Sequence, residues 1–364
     1  MIAQKLFHDL HVRYFCRSGL DICNHCSNTN LQQMPKKLFL LAVLVTILGA
    51  SCQSDQNKAS VTGVQALQLI TAEESVATFE NLRLYPVTAD PSLISEHKDL
   101  NRMKTLAEGM NTPGFRLLER KQFGREDEAW HHGLTVQNKS QDTILMLAGD
   151  VVKGGNQDRV LAHHEVILPM TVRNVEVFCV EAGRSTYYDP NASKAEKEIA
   201  AFKGYYNVAS PSVRRAVQQT QDQQKVWEAV AAVTKDNNAT SQTQAYTALD
   251  TETEEKKRRD IYYQHLQDAF KGRTDVVGMV AVCGDQVLGV DIFGTPELFR
   301  KQMGSLLHGY IAESASKGQN NVFATEKARE SFERVARLAG PASKASETGS
   351  KFSWGGHWVH LYGQ

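Results

Sequence analysis

The stretch that decides the fold is Val276-Val-Gly-Met-Val-Ala-Val-Cys-Gly-Asp-Gln-Val-Leu-Gly-Val-Asp-Ile-Phe293. Two apolar runs rich in β-branched residues flank the dipeptide Gly284-Asp285. A two-residue turn that contains Asp commonly joins antiparallel strands. We therefore predict a β-hairpin, with one strand over Val276–Cys283 and the other over Gln286–Phe293.

The chain after this hairpin is predicted to form a helix and one more strand. Apolar residues recur at helical spacing over residues 296–316, and Pro296 stands where helices often begin. The apolar stripe consists of Phe299, Met303, Leu306 and Tyr310. Residues 340–350 predict a polar loop, and residues 357–362 predict the final strand.

The chain before the hairpin changes from strand-like to helical patterns near Arg184. Short apolar or alternating runs predict strands at residues 82–87, 134–138, 143–147, 165–168 and 175–180. Asn138-Lys-Ser-Gln-Asp142 is predicted to be the turn between two paired strands. Two further segments have apolar residues at helical spacing. The first contains Val213, Ala216, Val217, Thr220, Trp227 and Val230, and the second spans residues 256–270. The polar residues 235–253 between them are predicted to be a loop. These patterns predict an α+β fold, in which a β-rich N-terminal half (79–184) is followed by a helix-rich half (185–364) with a small C-terminal sheet.

The composition is that of a globular protein, because hydrophobic residues make up 41% of the 364 residues. Lys and Arg together number 41, and so do Asp and Glu. The chain as a whole therefore carries no excess positive charge that would attract nucleic acid. We expect no nucleic-acid partner.

A segment near the N-terminus predicts export and lipid attachment. Met34-Pro-Lys-Lys37 is basic, residues 38–48 are apolar, and the small residues Gly49-Ala-Ser51 precede Cys52. This is the order of a signal peptide, and the apolar run is shorter than the roughly 20 residues of a transmembrane helix. The residues before Cys52 resemble the lipobox of bacterial lipoproteins, although Leu48 lies one position farther from the cysteine than usual. We predict a lipoprotein of the cell envelope, periplasmic or surface-exposed, anchored in the membrane through lipid on Cys52; an ordinary secretory signal is the alternative.

This prediction divides the chain into four parts. Residues 1–33 are expected to be an extension upstream of Met34, the expected start of the protein, that is either not translated or not structural. Residues 34–51 are expected to be the signal peptide, 52–71 a lipidated tether and 72–364 a single α+β domain. Beyond Cys52 the cysteines are Cys179 and Cys283. They could form a disulfide outside the cytoplasm or remain two buried thiols.

The densest polar cluster is Gly149-Asp-Val-Val-Lys-Gly-Gly-Asn-Gln-Asp-Arg159, predicted to be a loop between two strands. Glycines let a ligand approach the backbone, Arg159 could bind an anion through two hydrogen bonds, and Asn156 and Gln157 could bind sugar hydroxyls or a base edge. Asp150 and Lys153 are further candidate contacts. The spacing is neither that of a Walker loop nor that of a dinucleotide fingerprint. The alternative is a tight loop whose polar groups bond to one another.

A second cluster, Cys179-Val-Glu-Ala-Gly-Arg184, ends a predicted strand, where side chains often face a cleft. Glu181 could act as an acid, as a base or as the partner of a guanidinium. A structural pair between Glu181 and Arg184 is the alternative. Cys179 is a weaker candidate for a nucleophile, because cysteines within strands are commonly inert.

The histidine pairs His131-His132 and His163-His164 do not have the spacing of metal ligands. Adjacent residues in a strand point to opposite faces, so each pair offers one ligand to a given site. The sequence therefore predicts no metal and no cofactor. Ser185-Thr-Tyr-Tyr188 lacks the Gly-x-Ser-x-Gly elbow of serine hydrolases.

Over residues 72–362 the chain resembles the ARG and Rhodanese-Phosphatase-superfamily-associated Protein domain family. The resemblance rests on Glu80-Asn-Leu-Arg-Leu-Tyr-Pro-Val87, on the two polar clusters, on Gln224-Lys-Val-Trp227 and on Leu288-Gly-Val-Asp-Ile-Phe293. It implies an α+β domain with a polar site for a nucleotide, ADP-ribose or another phosphate-bearing ligand, and it implies no established reaction.

The first polar cluster departs from the family pattern Gly-Glu-x-x-x-Gly-x-Lys-Gln-Asn-Arg. Gly149, Gly154, Gln157 and Arg159 match it, whereas Asp150, Asn156 and Asp158 replace its Glu, Lys and Asn. The loss of that lysine removes a cation that a phosphate would need, and Lys153 could replace it only if the loop folds back.

Three functions are compatible with these observations. The first is a ligand-binding or sensing domain in the envelope for an anionic, phosphate-like or nucleotide-like small molecule, with contacts from the two polar clusters. The second is a structural or protein-interaction lipoprotein with an envelope protein as partner. The third is a metal-independent hydrolase in which Asp150 or Glu181 is the acid or base.

Overall fold

The computed structural model describes residues 66–119, 133–184, 202–317, 321–340 and 349–363. Cys52, the predicted signal peptide (residues 34–51), His131-His132 and Ser185 to Tyr188 lie outside these residues. A seven-stranded antiparallel sheet contains the predicted hairpin. In spatial order its strands are β1 (Leu67–Leu69), β3 (Leu82–Ala89), β13 (Val276–Cys283), β14 (Gln286–Phe293), β16 (His357–Gly363) and β15 (Gly349–Trp354), and β2 (Ala77–Phe79) also pairs with β3.

The central strands of this sheet are apolar on both faces because helices cover both. On one face, Met279 and Ala281 pack in the same cluster as Leu306 of α6 (Pro296–Ser314), together with α5 (Glu254–Leu266). On the other face, Val280 and Val282 pack with α7 (Thr325–Ala336). Burial on both faces explains why β13 and β14 are nearly continuous apolar runs and do not alternate with polar residues.

A second sheet of six antiparallel strands carries the first polar cluster. In spatial order its strands are β12 (Phe202–Val208), β8 (Asp150–Gly154), β9 (Arg159–Leu161), β11 (Thr171–Cys179), β6 (Gly133–Asn138) and β5 (Phe115–Glu119). One face packs on α3 (Pro211–Arg215) and α4 (Gln223–Asp236), through Val151 and Val160. The other face packs on a small three-stranded sheet of β10 (Glu165–Ile167), β7 (Ile144–Met146) and β4 (Lys104–Thr105).

The α+β class, the β-rich N-terminal half and the C-terminal strands are as predicted. The hairpin has the predicted bounds, and the ends of α5, α6 and β16 lie within four residues of their predicted positions. Two short helices, α1 (Pro91–Glu96) and α2 (Leu106–Met110), were not predicted, nor were α7 and β15. The C-terminal strands belong to the seven-stranded sheet, because β14 pairs with both β13 and β16.

Several local predictions were wrong. Residues 138–142 do not join paired strands, since β6 pairs with β5 and β11 whereas β7 pairs with β10 and β4. The end of the predicted tether forms β1, in which Leu67 is buried and pairs with Ala89. Within the predicted loop 235–253, a 3-10 helix spans Tyr246–Asp250.

A buried polar network connects the seven-stranded sheet with α3, α6 and the segment before β10, and Asp291 of β14 is its centre. Arg214 of α3 donates to both carboxylate oxygens, at 3.0 and 3.2 Å, and Tyr310 of α6 donates to one of them. His360 of β16 lies 3.1 Å from Asp291, and His164, which precedes β10, lies 2.8 Å from His360. Burial acts to raise the pKa of Asp291, but Arg214 and His360 outweigh this and hold the pKa of that carboxyl well below its ordinary value.

The described residues contain no helix that is both long enough and apolar enough to cross a membrane.

Gly149, next to this network, allows Arg214 to reach Asp291. A Cβ at Gly149 would lie 2.8 Å from the Cγ and Cδ of Arg214, and the backbone there has a φ of +97°. We expect Gly149→Ala to lower the free energy of unfolding by about 1 kcal/mol for the backbone and by about 1–3 kcal/mol more for the overpacking. Urea denaturation measures the loss.

Gly272→Ala is the matched control. Gly272 has a φ of +81°, and nothing lies within 4 Å of where its Cβ would be. Equal losses in the two variants would show that the contact with Arg214 is not a constraint.

Candidate functional site

The first polar cluster is a β-hairpin, and the prediction of a loop between strands was wrong at this point. β8 and β9 pair with Val151 opposite Val160 and Val152 opposite Arg159. Only residues 155–158 form the turn. The alternation of Val151 and Val152 between two apolar clusters explains why the segment is a strand despite its glycines and charges.

The turn and the second polar cluster meet, as a common site requires. Gln157 Nε2 donates to the carbonyl oxygen of Glu181 at 2.8 Å, and the amide of Asp158 donates to Glu181 Oε2 at 3.0 Å. Arg184 donates to Glu181 at 2.6 Å and to the carbonyl oxygen of Gly155 at 2.9 Å. The polar groups of the turn thus bond largely to one another, which is the alternative left open by the sequence.

Glu181 is held in its ionised form. Burial acts to raise the pKa of Glu181, but hydrogen bonds from Arg184, Thr243 and the amide of Asp158 outweigh it, so that the pKa lies below its ordinary value. The hydrogen bond to Glu181 raises the pKa of Arg184 in turn. A carboxylate bound in this way is poorly suited to release or accept a proton near neutral pH.

Arg159 lies at the other side of the hairpin and is buried. Its guanidinium contacts the Sγ of Cys179 and lies 3.4 Å from the carboxylate of Glu119, whose other oxygen accepts from the amide of Asn156 at 2.9 Å. Sequence analysis missed Glu119, because it lies at the end of β5, far along the chain from the hairpin. Cys179 and Cys283 are free buried thiols, and burial raises the pKa of Cys179, which does not favour a nucleophile.

Asp150 is separated from these residues and sealed in the core, with 1% of its surface exposed. It accepts hydrogen bonds from the amide of Leu147 at 2.7 Å and from the hydroxyl of Tyr205 at 3.0 Å. Burial raises the pKa of Asp150 to about 7. The carboxylate has the shifted pKa that an acid or base needs, but it has no access to a substrate.

Of the sequence-predicted candidates, Lys153 contacts two residues that line a cavity. Its Nζ lies 3.4 Å from Asp250 Oδ2 and 4.8 Å from the centre of the Tyr206 ring. Tyr206 donates to the other oxygen of Asp250 at 3.0 Å. Asp250 and Tyr206 line a small cavity, open to solvent, between β12, the 3-10 helix, α5 and α6.

The polar lining of this cavity comes from four separate elements: Tyr206, Asn207, Tyr246, Asp250, Lys256, Arg259, Asp260 and His308. Each lining carboxylate already has a lysine partner. Asp250 pairs with Lys153, and Asp260 pairs with Lys256 at 2.7 Å. Lys256 also lies 3.5 Å from the exposed Glu252.

Arg259 differs from these lining residues in having neutral partners. Its guanidinium donates to Asn237 Oδ1 at 2.8 Å and to the carbonyl oxygen of Leu249. Within the described part of the chain it forms no ion pair. The residue is 8% exposed, and burial lowers the pKa of Arg259. The carboxylates of Asp250 and Asp260 line the same cavity and attract the guanidinium at longer range, which acts to raise the pKa of Arg259.

Asn237 and His308 fix the geometry of the cavity. The amide of Asn237 donates to the carbonyl oxygens of Val233 and Ala312, both at 2.9 Å, which turns its own oxygen toward Arg259. The His308 ring stacks on Tyr263 with centroids 4.3 Å apart, and burial lowers the pKa of His308. His308 therefore offers neutral nitrogen atoms beside Arg259.

The pKa of Asp150 has a consequence for stability. Its folded-state pKa of about 7 lies above the ordinary value of 3.8, so the unfolded chain binds fewer protons than the folded chain between these pH values. The stabilisation is complete below about pH 4 and is lost as the pH rises to about 7. The free energy of unfolding of the native chain should therefore decline by on the order of a few kcal/mol between pH 4 and pH 8. We expect Asp150→Asn to remove this decline, and urea denaturation across that pH range measures it.

Asp142→Asn is the control, because Asp142 is paired with Lys104 at the surface of the domain. An Asp150→Asn variant with the same pH profile as the native chain would show that Asp150 titrates normally.

Comparison with known proteins gives the family. Neither the curated proteins nor the solved structures that were compared gave a match. The family model for the ARG and Rhodanese-Phosphatase-superfamily-associated Protein domain matches residues 72–362, which include both polar clusters, the cavity and the Asp291 network. The chain belongs to the ARG and Rhodanese-Phosphatase-superfamily-associated Protein domain family.

Proposed function

We propose that the protein is a ligand-binding or sensing lipoprotein of the cell envelope that binds an anionic, phosphate-like or nucleotide-like small molecule in the cavity at Arg259. The observation that carries the proposal is the guanidinium of Arg259, which lines an open cavity while bonded to neutral partners. Among the described residues no carboxylate contacts Arg259 directly, since Asp250 and Asp260 pair with lysines and act on it only at longer range, so a bound anion could form the direct pair.

The surroundings of Arg259 fit a phosphate group better than a simple apolar ligand. A guanidinium binds phosphate oxygens through paired hydrogen bonds, which an apolar ligand could not accept. Tyr206, Tyr246 and His308 add flat rings and hydrogen-bonding groups to the lining. A few convergent polar groups among aromatic side chains are typical of small-molecule sites.

The hairpin turn is a less favourable place for an anion. Its two arginines, Arg159 and Arg184, face three carboxylates, those of Glu119, Asp158 and Glu181. The arginines are therefore already neutralised. Lys153 connects the predicted cluster with the cavity, since it lies on β8 and pairs with Asp250.

A structural or protein-interaction role is the second candidate, and one surface feature favours it. Leu168, Met170 and Val172 are exposed by 44%, 66% and 63%, within five residues at the start of β11. Exposed apolar residues that lie together often mark a protein contact. The hydrolase alternative has less support, because Asp150 is sealed and Glu181 is held ionised by Arg184.

The ligand proposal is tested by thermal unfolding with inorganic phosphate, nucleotides, sugar phosphates and ADP-ribose. A ligand that binds the folded state at 100 times its Kd stabilises it by about 2.7 kcal/mol, so the midpoint should rise by several degrees. We expect Arg259→Gln to abolish this rise and Arg259→Lys to weaken it, because lysine keeps the charge but loses the paired hydrogen bonds. The measured quantity is the ligand-induced rise, which remains valid if a variant is itself less stable.

Arg258→Gln is the matched control, since Arg258 lies next to Arg259 on α5 but pairs with Glu80. It should respond as the native chain does. A response that survives Arg259→Gln and disappears in Arg159→Ala would place the site at the hairpin, and no response to any compound would favour the interaction role.

The anchor is tested separately. We expect Cys52→Ala to move the protein from the membrane fraction to the soluble fraction and to abolish labelling by a radioactive fatty acid, because that cysteine is the proposed site of the lipid. Cys283→Ala, which changes a free thiol within the domain, should change neither result. Membrane retention of Cys52→Ala would contradict the lipoprotein proposal.

A further inference from the structure

A second cluster of side chains, separate from the Arg259 cavity, contains two histidines and a carboxylate. Glu96 ends α1, His97 follows it directly, and His357 begins β16. One potential ligand atom from each residue lies within 4.8 Å of the other two. His97 is 2% exposed, and the two imidazole rings lie 5.0 Å apart.

Both imidazoles have a buried nitrogen that lacks a hydrogen-bond partner. Among the described residues, neither His97 Nε2 nor His357 Nδ1 forms a hydrogen bond. Buried polar atoms are nearly always bonded, so two such nitrogens in one cluster require an explanation. A ligand that accepts the lone pairs of both would satisfy them together.

The other nitrogen of His97 is oriented as metal-binding histidines require. His97 Nδ1 lies 3.0 Å from the carbonyl oxygen of Leu93, which can only accept a hydrogen bond. The proton of the neutral ring is therefore on Nδ1, and Nε2 carries a free lone pair. Such a hydrogen bond from the second ring nitrogen to a carbonyl is the usual support of a metal-ligating histidine.

The fold supports this arrangement from two directions. The amide of Gly294 donates to the carbonyl oxygen of Val359 at 3.0 Å, which holds the start of β16 beside the end of β14. A Cβ at Gly294 would lie 3.0 Å from the ring of His97 and 2.6 Å from Leu100. Glycine at this position therefore leaves room for the His97 ring against the sheet.

We propose that Glu96, His97 and His357 bind a first-row divalent transition metal, with Zn²⁺ as the reference ion. Two imidazoles and a carboxylate form a ligand set that Zn²⁺ accepts, and three protein ligands leave a fourth position open for water or another ligand. Tetrahedral bonds of about 2.1 Å place ligand atoms about 3.4 Å apart. The side chains must therefore close by no more than about 1.4 Å from the observed spacing, and Glu96 is exposed and can move.

The test uses the full chain, freed of metal with a chelator and titrated with Zn²⁺ by calorimetry and with Co²⁺ by visible absorption. We expect one equivalent of Co²⁺ with the absorption bands of a four-coordinate site that lacks thiolate. Glu96→Gln and His357→Gln should each weaken the affinity of that equivalent at least about tenfold. Glu96 is exposed, so its substitution tests the site without disturbing the core.

His163→Gln is the control, because His163 is an exposed histidine that pairs with Glu176. It should leave affinity and stoichiometry unchanged. Binding that is identical in the native chain, Glu96→Gln and His357→Gln would overturn the proposal. So would a Co²⁺ spectrum dominated by thiolate charge transfer, which would assign the metal to cysteines.

Discussion

The carboxylate of Asp291 is fully buried and accepts hydrogen bonds from Arg214, Tyr310 and His360. A charge in such a place is tolerated only when it is paired and its oxygens are bonded, and loss of one partner of a buried ion pair typically costs about 3–5 kcal/mol. Its partners come from α3, α6 and β16. This one carboxylate therefore fixes how these two helices and the C-terminal strand lie on the seven-stranded sheet. Because α6 also lines the cavity and β16 also carries His357, both proposed sites depend on this network.

Much of the architecture follows from local sequence patterns. The run from Val276 to Phe293 has two β-branched strands and a two-residue turn, and its residues form the hairpin whose bounds were predicted. Strand pairing beyond such a turn depends on contacts that no local pattern contains. Residues 138–142 look like a hairpin turn but connect strands of different sheets, because Leu134 and Ile144 lie in separate sheets that pack face to face. Short strands such as Leu67–Leu69 have too few residues to show a period.

The candidate site was predictable only in part, for a related reason. The two polar clusters do meet, and Gln157, Glu181 and Arg184 are in contact. Their composition could not show that carboxylates such as Glu119 neutralise the arginines, since Glu119 lies about 40 residues before Arg159. Arg259 belongs to a run of four basic residues that resembles an ordinary solvated helix face. What distinguishes it is burial against Asn237 and Leu249, a property of the folded chain. His97 and His357 are 260 positions apart, so no spacing rule could associate them.

We propose that the guanidinium of Arg259 supplies the positive charge that binds the anionic ligand. The most direct measurement is nuclear magnetic resonance of the chain labelled with ¹⁵N-arginine, titrated with inorganic phosphate and with ADP-ribose. The Nε–H signal of Arg259, assigned through its loss in Arg259→Lys, should shift saturably, whereas the signal of Arg214, bound to Asp291 in the core, should not. Saturable shifts of Arg159 or Arg184 with no change at Arg259 would contradict the claim and place the ligand at the hairpin.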